Sequence, residues 1–227
     1  MGTSEHAYGL VMKALYKRQA TGEGSFINLA MFESTVSWLT VPITLTASFG
    51  KTISRRGNTH EFFCPCSVYQ TRNGYVYLAV GNDRQWKAMV SQEIFKSLAR
   101  PAYEKNAGRI KEVKNLNAAI NAVTKNYSSE ELIELFTSIT VPVSKIQTVR
   151  EVIADPLVEK RLLYAHDPVS EMDITLAPPP NMTPFLEASN RRLSFPPRFG
   201  ENNQEIYGRK LGYSDEALAG LKEKGII

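Results

Sequence analysis

At 227 residues, with 43% hydrophobic and 22% charged side chains, the chain has an ordinary globular composition and length for one sizeable core or two small ones, which excludes a disordered polymer. A net charge of +4 is spread over interspersed acids and bases, without the aromatic alternation of a base-stacking surface, so no nucleic-acid partner is expected. No apolar run approaches the roughly 20 residues of a membrane span, and MGTSEHAYGLVMKALYKR lacks the pattern of a signal peptide, so a cytoplasmic protein with no membrane partner is expected.

His6 to Lys17 has helical spacing of Leu10, Val11, Ala14 and Leu15, and TGEG, Thr21 to Gly24, stops it. SFINLAM reads as a short strand covered on both faces, and a second helix is expected from about Phe32 into the Trp38 region. The Gly, Ser, Arg and Asn content of Ala47 to His60 marks a connector. In SVYQTRNGYVYLAV, two runs rich in valine and tyrosine flank Asn73-Gly74, the pair suited to the tight turn of a hairpin. Asn82 or Asp83 caps a helix expected from Gln85 to about Leu98, and Tyr103 to Lys125 reads as mostly helical.

Ser128 and Glu131 have capping-box spacing for a helix to about Ser138, and VPVSKI reads as a strand. Thr148 to Ala154 and Leu157 to Leu162 are expected as short helices divided by Asp155-Pro156. APPPNMTP and SFPPRFG are proline-rich connectors. Helices from about Asn203 to Leu211 and from Ser214 to about Lys224 close the chain.

The chemistry-bearing stretch is RRGNTHEFFCPC. It holds both cysteines and one of three histidines. His60, Cys64 and Cys66 give three candidate metal ligands where closed zinc sites want four, and the cysteines are spaced too closely for such a site. A thiol nucleophile needs a lowered pKa and a base, and buried free cysteine is often a small hydrophobe. VGNDRQW offers a glycine and charges at a helix start, read either as an anion loop or as a cap with solvated charges. His6 and His166 have no partner at a recognisable spacing.

Four segments, in order, carry a resemblance. ALYKRQATGEGSFINLAMFES resembles an A-L-x-x-R-x-x-T-G-x-G-Q helix end entering a strand. RRGNTHEFFCPCSVYQTRNGYVYLAVGNDRQW is similar to R-x-G-N-x-H, A-P-Y-G, y-x-t-x-D-G and a-v-G-N-D-x-Q-[FW]. VPVSKIQTVREVIADPLVEKR resembles P-x-x-x-v followed by e-v-x-x-D-P, and FGENNQEIYGRKLGYSDEALAGLKEKGII resembles G-E-x-x-x-e-i-y-x-x-L-G-Y-S with L-x-x-x-G-v-I. These are the motifs of family III CoA-transferases, the CaiB/BaiF and formyl-CoA transferase-like group.

The resemblance implies an α/β fold in which Rossmann-like large-domain segments accompany a smaller α+β domain, the family fold lacking its N-terminal half. On that basis residues 1–50 form a large-domain helix-strand-helix segment, 51–66 a connector and substrate-side loop, 67–176 the small domain, and 177–227 a linker and helices returning to the large domain. It also implies substrates, acyl-CoA and carboxylic acids, with coenzyme A thioester as a substrate and no tightly bound cofactor. The expected partner is a second copy in an interlinked homodimer, or a complementing N-terminal half.

The implied reaction begins with an aspartate attacking the donor thioester to give a mixed anhydride. Returning CoA converts this to an enzyme-CoA thioester, from which CoA passes to the acceptor acid. The nucleophile is expected immediately upstream of Met1, so no catalytic residue is assigned here; Glu5 and Glu33 do not match its position. The chain alone is expected to be inactive. His60, Cys64, Pro65 and Cys66 are the expected substrate-side residues; aligned on Pro65, Cys64 replaces an alanine and Cys66 an aromatic. The alternatives are an α-methylacyl-CoA racemase-like fragment and a non-catalytic assembly subunit.

Overall fold

The hairpin expected at Asn73-Gly74 forms with its turn displaced by one residue. In the computed structural model, which describes residues 1–227, β1 (Cys66–Thr71) and β2 (Gly74–Ala79) pair antiparallel with Thr71 opposite Gly74. The two loop residues are therefore Arg72 and Asn73. Tertiary bonds decide this: Asn73 Oδ1 accepts from the Ser129 amide at 2.8 Å, and the Arg72 amide donates to the Tyr127 carbonyl at 2.8 Å. A turn tied to a neighbouring helix start takes its register from that neighbour.

The chain divides into two compact units, Met1–Ile146 and Gln147–Ile227. The first begins with α1 (Gly2–Thr21), α2 (Met31–Val36) and α3 (Thr40–Phe49). Gly22, in the left-handed region at φ 77°, ends α1 by donating its amide to the Arg18 carbonyl at 2.8 Å. SFINLAM is not a strand: Ser25–Ala30 lacks regular structure, and no neighbouring strand supplies the ladder that would make it one. Among residues 1–63 only Ser34 is buried.

The core lies further on. After β2 come α4 (Asp83–Val90), 3-10 turns at Glu93–Leu98 and Pro101–Tyr103, α5 (Asn106–Lys111), α6 (Val113–Thr124), α7 (Ser129–Ser138) and β3 (Val143–Lys145). The expected Gln85-to-Leu98 helix is thus α4 followed by a 3-10 turn. The strands form a sheet in the order β1-β2-β3. One sheet face presents Tyr69, Val76 and Leu78 to a core shared with Leu116, Ile120, Leu132 and Phe136. At the outer edge of β1, Asn121 accepts from the Gln70 amide at 2.8 Å and Thr124 donates to its carbonyl at 2.8 Å, so α6 blunts that edge. The Ser128 and Glu131 capping box opens α7 as its spacing implies.

The second unit holds α8 (Val149–Ile153), α9 (Pro156–Glu159), β4 (Leu163–Asp167), β5 (Met172–Leu176), α10 (Pro184–Ala188) and β6 (Arg192–Ser194). Its sheet order is β5-β4-β6, antiparallel then parallel. Neither β4 nor β5 was foreseen. The expected Asn203-to-Leu211 helix is a π-helix over Gln204–Lys210, and α11 (Asp215–Glu223) follows its Ser214 cap. Asp167, buried at the end of β4, accepts from the Ser170 hydroxyl at 2.5 Å and from Arg198 at 2.7 Å. No helix is long and apolar enough to cross a membrane.

Phe136, fully buried 5.5 Å from the Phe95 ring, leaves a cavity when cut to alanine; urea unfolding of Phe136→Ala is expected to show a loss of about 3–5 kcal/mol. The Ser170 hydroxyl, then the Arg198 guanidinium, hold the Asp167 carboxyl well below the usual carboxylate range. Its stabilising contribution is complete above the unfolded-state pKa of about 4 and is lost as pH falls through the lower folded-state value. Arg198→Gln is therefore expected to move the acid transition of the second unit to higher pH, as followed by circular dichroism.

Candidate functional site: the Phe62–Cys66 loop

The loop preceding β1 brings the four expected substrate-side residues into one short turn. Its backbone is closed by the His60 amide donating to the Cys66 carbonyl at 3.3 Å and the Val80 amide donating to the Pro65 carbonyl at 2.8 Å. The Cys64-Pro65 peptide is cis. His60 is exposed, its ring stacked on Phe63 at 4.9 Å, and its Nδ1 accepts from the Phe62 amide at 3.1 Å. Pro65 is buried, as are Cys64 at 1% exposure and Cys66 at 8%.

The two thiols are free and have different surroundings. Burial pushes the Cys64 thiol up to about 11, only partly offset by the nearby Arg109 charge. It is a thiol, not a thiolate, at neutral pH. The Cys66 sulfur lies 3.0 Å from the Tyr77 hydroxyl across the β1–β2 pair, and that hydrogen bond raises the tyrosine pKa. No group of three His, Cys, Asp or Glu side chains is placed to hold a metal ion. His60 is engaged with the Phe62 amide and the Phe63 ring, and its side chain makes no hydrogen bond to either cysteine.

Behind the loop, VGNDRQW shows the cap arrangement. Asn82 Oδ1 accepts from the Gln85 amide at 2.9 Å, and Asp83 turns to Arg109 at 2.8 Å and to the Asn106 amide at 3.0 Å. Asn106 and Arg109 in turn bond the loop backbone. Nothing in NAGRIK marked these two residues, because an asparagine and an arginine in a polar helix look solvated in sequence. Arg109 is fully buried.

With this geometry in place, comparison with known proteins is decisive for the family. The sequence model of CoA-transferase family III matches residues 1–203. The chain belongs to CoA-transferase family III. The family sequence match thus agrees with the motifs that surround the loop.

Among curated relatives, the succinyl-CoA–D-citramalate CoA-transferase of Chloroflexus aurantiacus is 26% identical over 222 residues, covering 94% of this chain and 54% of the relative. The human succinyl-CoA:glutarate CoA-transferase is 24% identical over 231 residues, covering 100% of this chain and 52% of the relative. A crystal structure of a CAIB/BAIF family protein from Brucella suis shares the fold with a TM-score of 0.69 at 24% identity, over 92% of this chain and 54% of that one. The chain spans about half the length of the curated relatives it matches.

A Cys64 thiol held near 11 has roughly 100-fold less thiolate at pH 7 than an ordinary cysteine. Cys66→Ala protein, whose remaining thiol is Cys64, is therefore expected to resist alkylation at pH 7 until it unfolds, as measured by mass spectrometry. Rapid stoichiometric labelling of the folded protein would show an accessible thiolate instead.

Proposed function

We propose that the chain is the C-terminal part of an enzyme that moves coenzyme A between carboxylic acids. The observation that carries this reading is the family match over residues 1–203. The nucleophilic aspartate belongs to the part of the relatives that this chain does not span, as the motif order implies. Its carboxylate attacks the donor acyl carbonyl and releases CoA thiolate, leaving an aspartyl anhydride. The thiolate then attacks the aspartyl carbonyl, freeing the donor acid and forming the enzyme-CoA thioester. The acceptor carboxylate displaces CoA from that thioester as a second anhydride, and CoA attack on the acceptor acyl carbon restores the aspartate.

In this reading the complementing half packs on the surface of α1 to α3. Tyr16, Phe26, Met31, Phe32, Trp38 and Phe49 are all exposed there, an apolar surface of the sort that marks association. The naming of succinyl-CoA in several relatives supports it as the donor to try first.

In this reading the segment holding His60, Cys64, Pro65 and Cys66 faces the acyl side of the site, with the Cys64 side chain itself turned into the core. With a sulfur in place of an aromatic ring, position 66 leaves room for a larger acyl group, and the Tyr77 hydroxyl beside it offers a polar contact. Apolar bulk at this position selects by shape, so its effect falls on the acceptor acid.

The test is to co-express the chain with the polypeptide encoded immediately upstream and to follow CoA transfer from succinyl-CoA to a panel of carboxylic acids. Activity in the pair, none in the chain alone, and a shift toward smaller acceptors in Cys66→Tyr are expected. Exchange of an α-proton without CoA transfer would replace this reading with racemase chemistry. Stable association without either activity would make the chain an assembly subunit.

A further inference from the structure

Arg109 is the largest side chain that is fully buried, at 0% exposure. A guanidinium is retained in such a place only when its donors find acceptors on every side. Three of its bonds go to backbone: Nε to the Cys64 carbonyl at 2.6 Å, and one terminal nitrogen to the Tyr103 and Glu104 carbonyls at 2.8 and 3.1 Å. The other terminal nitrogen reaches Asp83 at 2.8 Å. The group also lies 5.1 Å from the Trp86 ring centre.

Asn106 stands three residues earlier, on the same face of α5. Its Oδ1 accepts from the Cys64 amide at 3.1 Å, and its Nδ2 donates to the Phe62 carbonyl at 2.7 Å. Together the two side chains therefore hold the Phe62 carbonyl, the Cys64 amide and the Cys64 carbonyl. Asp83 Oδ1 orients both, accepting from the Asn106 amide at 3.0 Å and from Arg109. Gly108 permits the arrangement, since a Cβ there would lie 1.9 Å from the Ala102 carbonyl oxygen and push α5 away.

A hydrophobic side chain would fill this volume without any such network. What the network adds is directional control over three consecutive residues of irregular backbone, immediately before Pro65 and Cys66. We propose that Arg109 and Asn106, oriented by Asp83, are positioning residues that fix the acyl-facing loop in a single conformation before substrate arrives. This inference rests on the reading that the loop lines the acyl site. Preorganisation of this kind acts on catalysis through geometry, with no contact between Arg109 and the reacting atoms.

Cys64 and Cys66 are the only two cysteines of the chain, so thiol labelling reports on this loop alone. The experiment measures labelling by a disulfide reagent in the full 227-residue chain at increasing sub-denaturing urea, beside its global unfolding curve. Arg109→Lys keeps the charge and loses the fork; Asn106→Ala removes the second clamp without touching the buried charge. Each is expected to raise the labelling rate roughly 10-fold or more, with a shallow urea dependence that marks local opening.

Rates equal to the parent chain, or rates that rise only with the steep urea dependence of global unfolding, overturn the proposal. In the complemented enzyme, Asn106→Ala is expected to change kcat and the acceptor KM, while Asn106→Gln restores part of the loss. Faster labelling with unchanged acceptor kinetics places the failure in the acyl-lining reading, because the loop is then clamped but does not serve the acceptor.

Discussion

Burying the Arg109 guanidinium constrains every segment around it. An ion taken from water into a protein interior costs several kcal/mol, and its attraction to a single carboxylate offsets this only with good geometry and further hydrogen bonds. Here the acceptors come from separate stretches of chain: the Cys64 carbonyl in the loop, the Tyr103 and Glu104 carbonyls at the end of the second 3-10 turn, and Asp83 at the start of α4. Trp86 packs on the cation and meets Tyr103 edge-on at 6.2 Å. Moving any one of these segments leaves charge unmatched, so their positions are fixed together. A buried ion pair is weak evidence of added stability; its consequence here is a defined arrangement of segments that have no ladder to hold them.

The amino-terminal helices follow the opposite logic. From α1 to α3 the chain carries apolar side chains in abundance, yet none of α1 is buried and the contacts are few, such as the Trp38 indole donating to His6 at 2.8 Å. Helices gain most of their stability from a packed apolar face. The long helix α1 has no such face within these residues, and the curated relatives are about twice as long as the chain. The region from Cys64 to Val143, by contrast, encloses its own core.

That contrast also explains which elements were legible in the sequence. The Ser128–Glu131 box, the Ser214 cap and the Gly22 stop are short-range devices whose bonds close within four residues, so spacing suffices to find them. SFINLAM misled because a short apolar run has no period that separates a strand from an extended segment, and strandness depends on a neighbour. β4 and β5 were missed for a related reason: Leu163 and Ala165 alternate with Tyr164 and His166, which are too polar and too few to stand out. The family motifs pointed to the Cys64–Cys66 loop. Arg109 could not be found, because burial of a charge is decided by acceptors far away in sequence, 45 residues away for Cys64.

The clamp has a consequence for how such a site can change. Arg109, Asn106 and Val80 bond carbonyls and an amide of residues 62, 64 and 65, and none of these bonds involves a side chain of the loop. These bonds therefore do not depend on which residues occupy positions 64 and 66. An alanine and an aromatic in the family motif, and two cysteines here, are compatible with the same backbone bonds. The device that places the loop backbone is thus separate from the side chains that the loop carries. The side chain most exposed to that variation is Cys66, whose contact with Tyr77 is a side-chain bond and so changes with the residue that makes it.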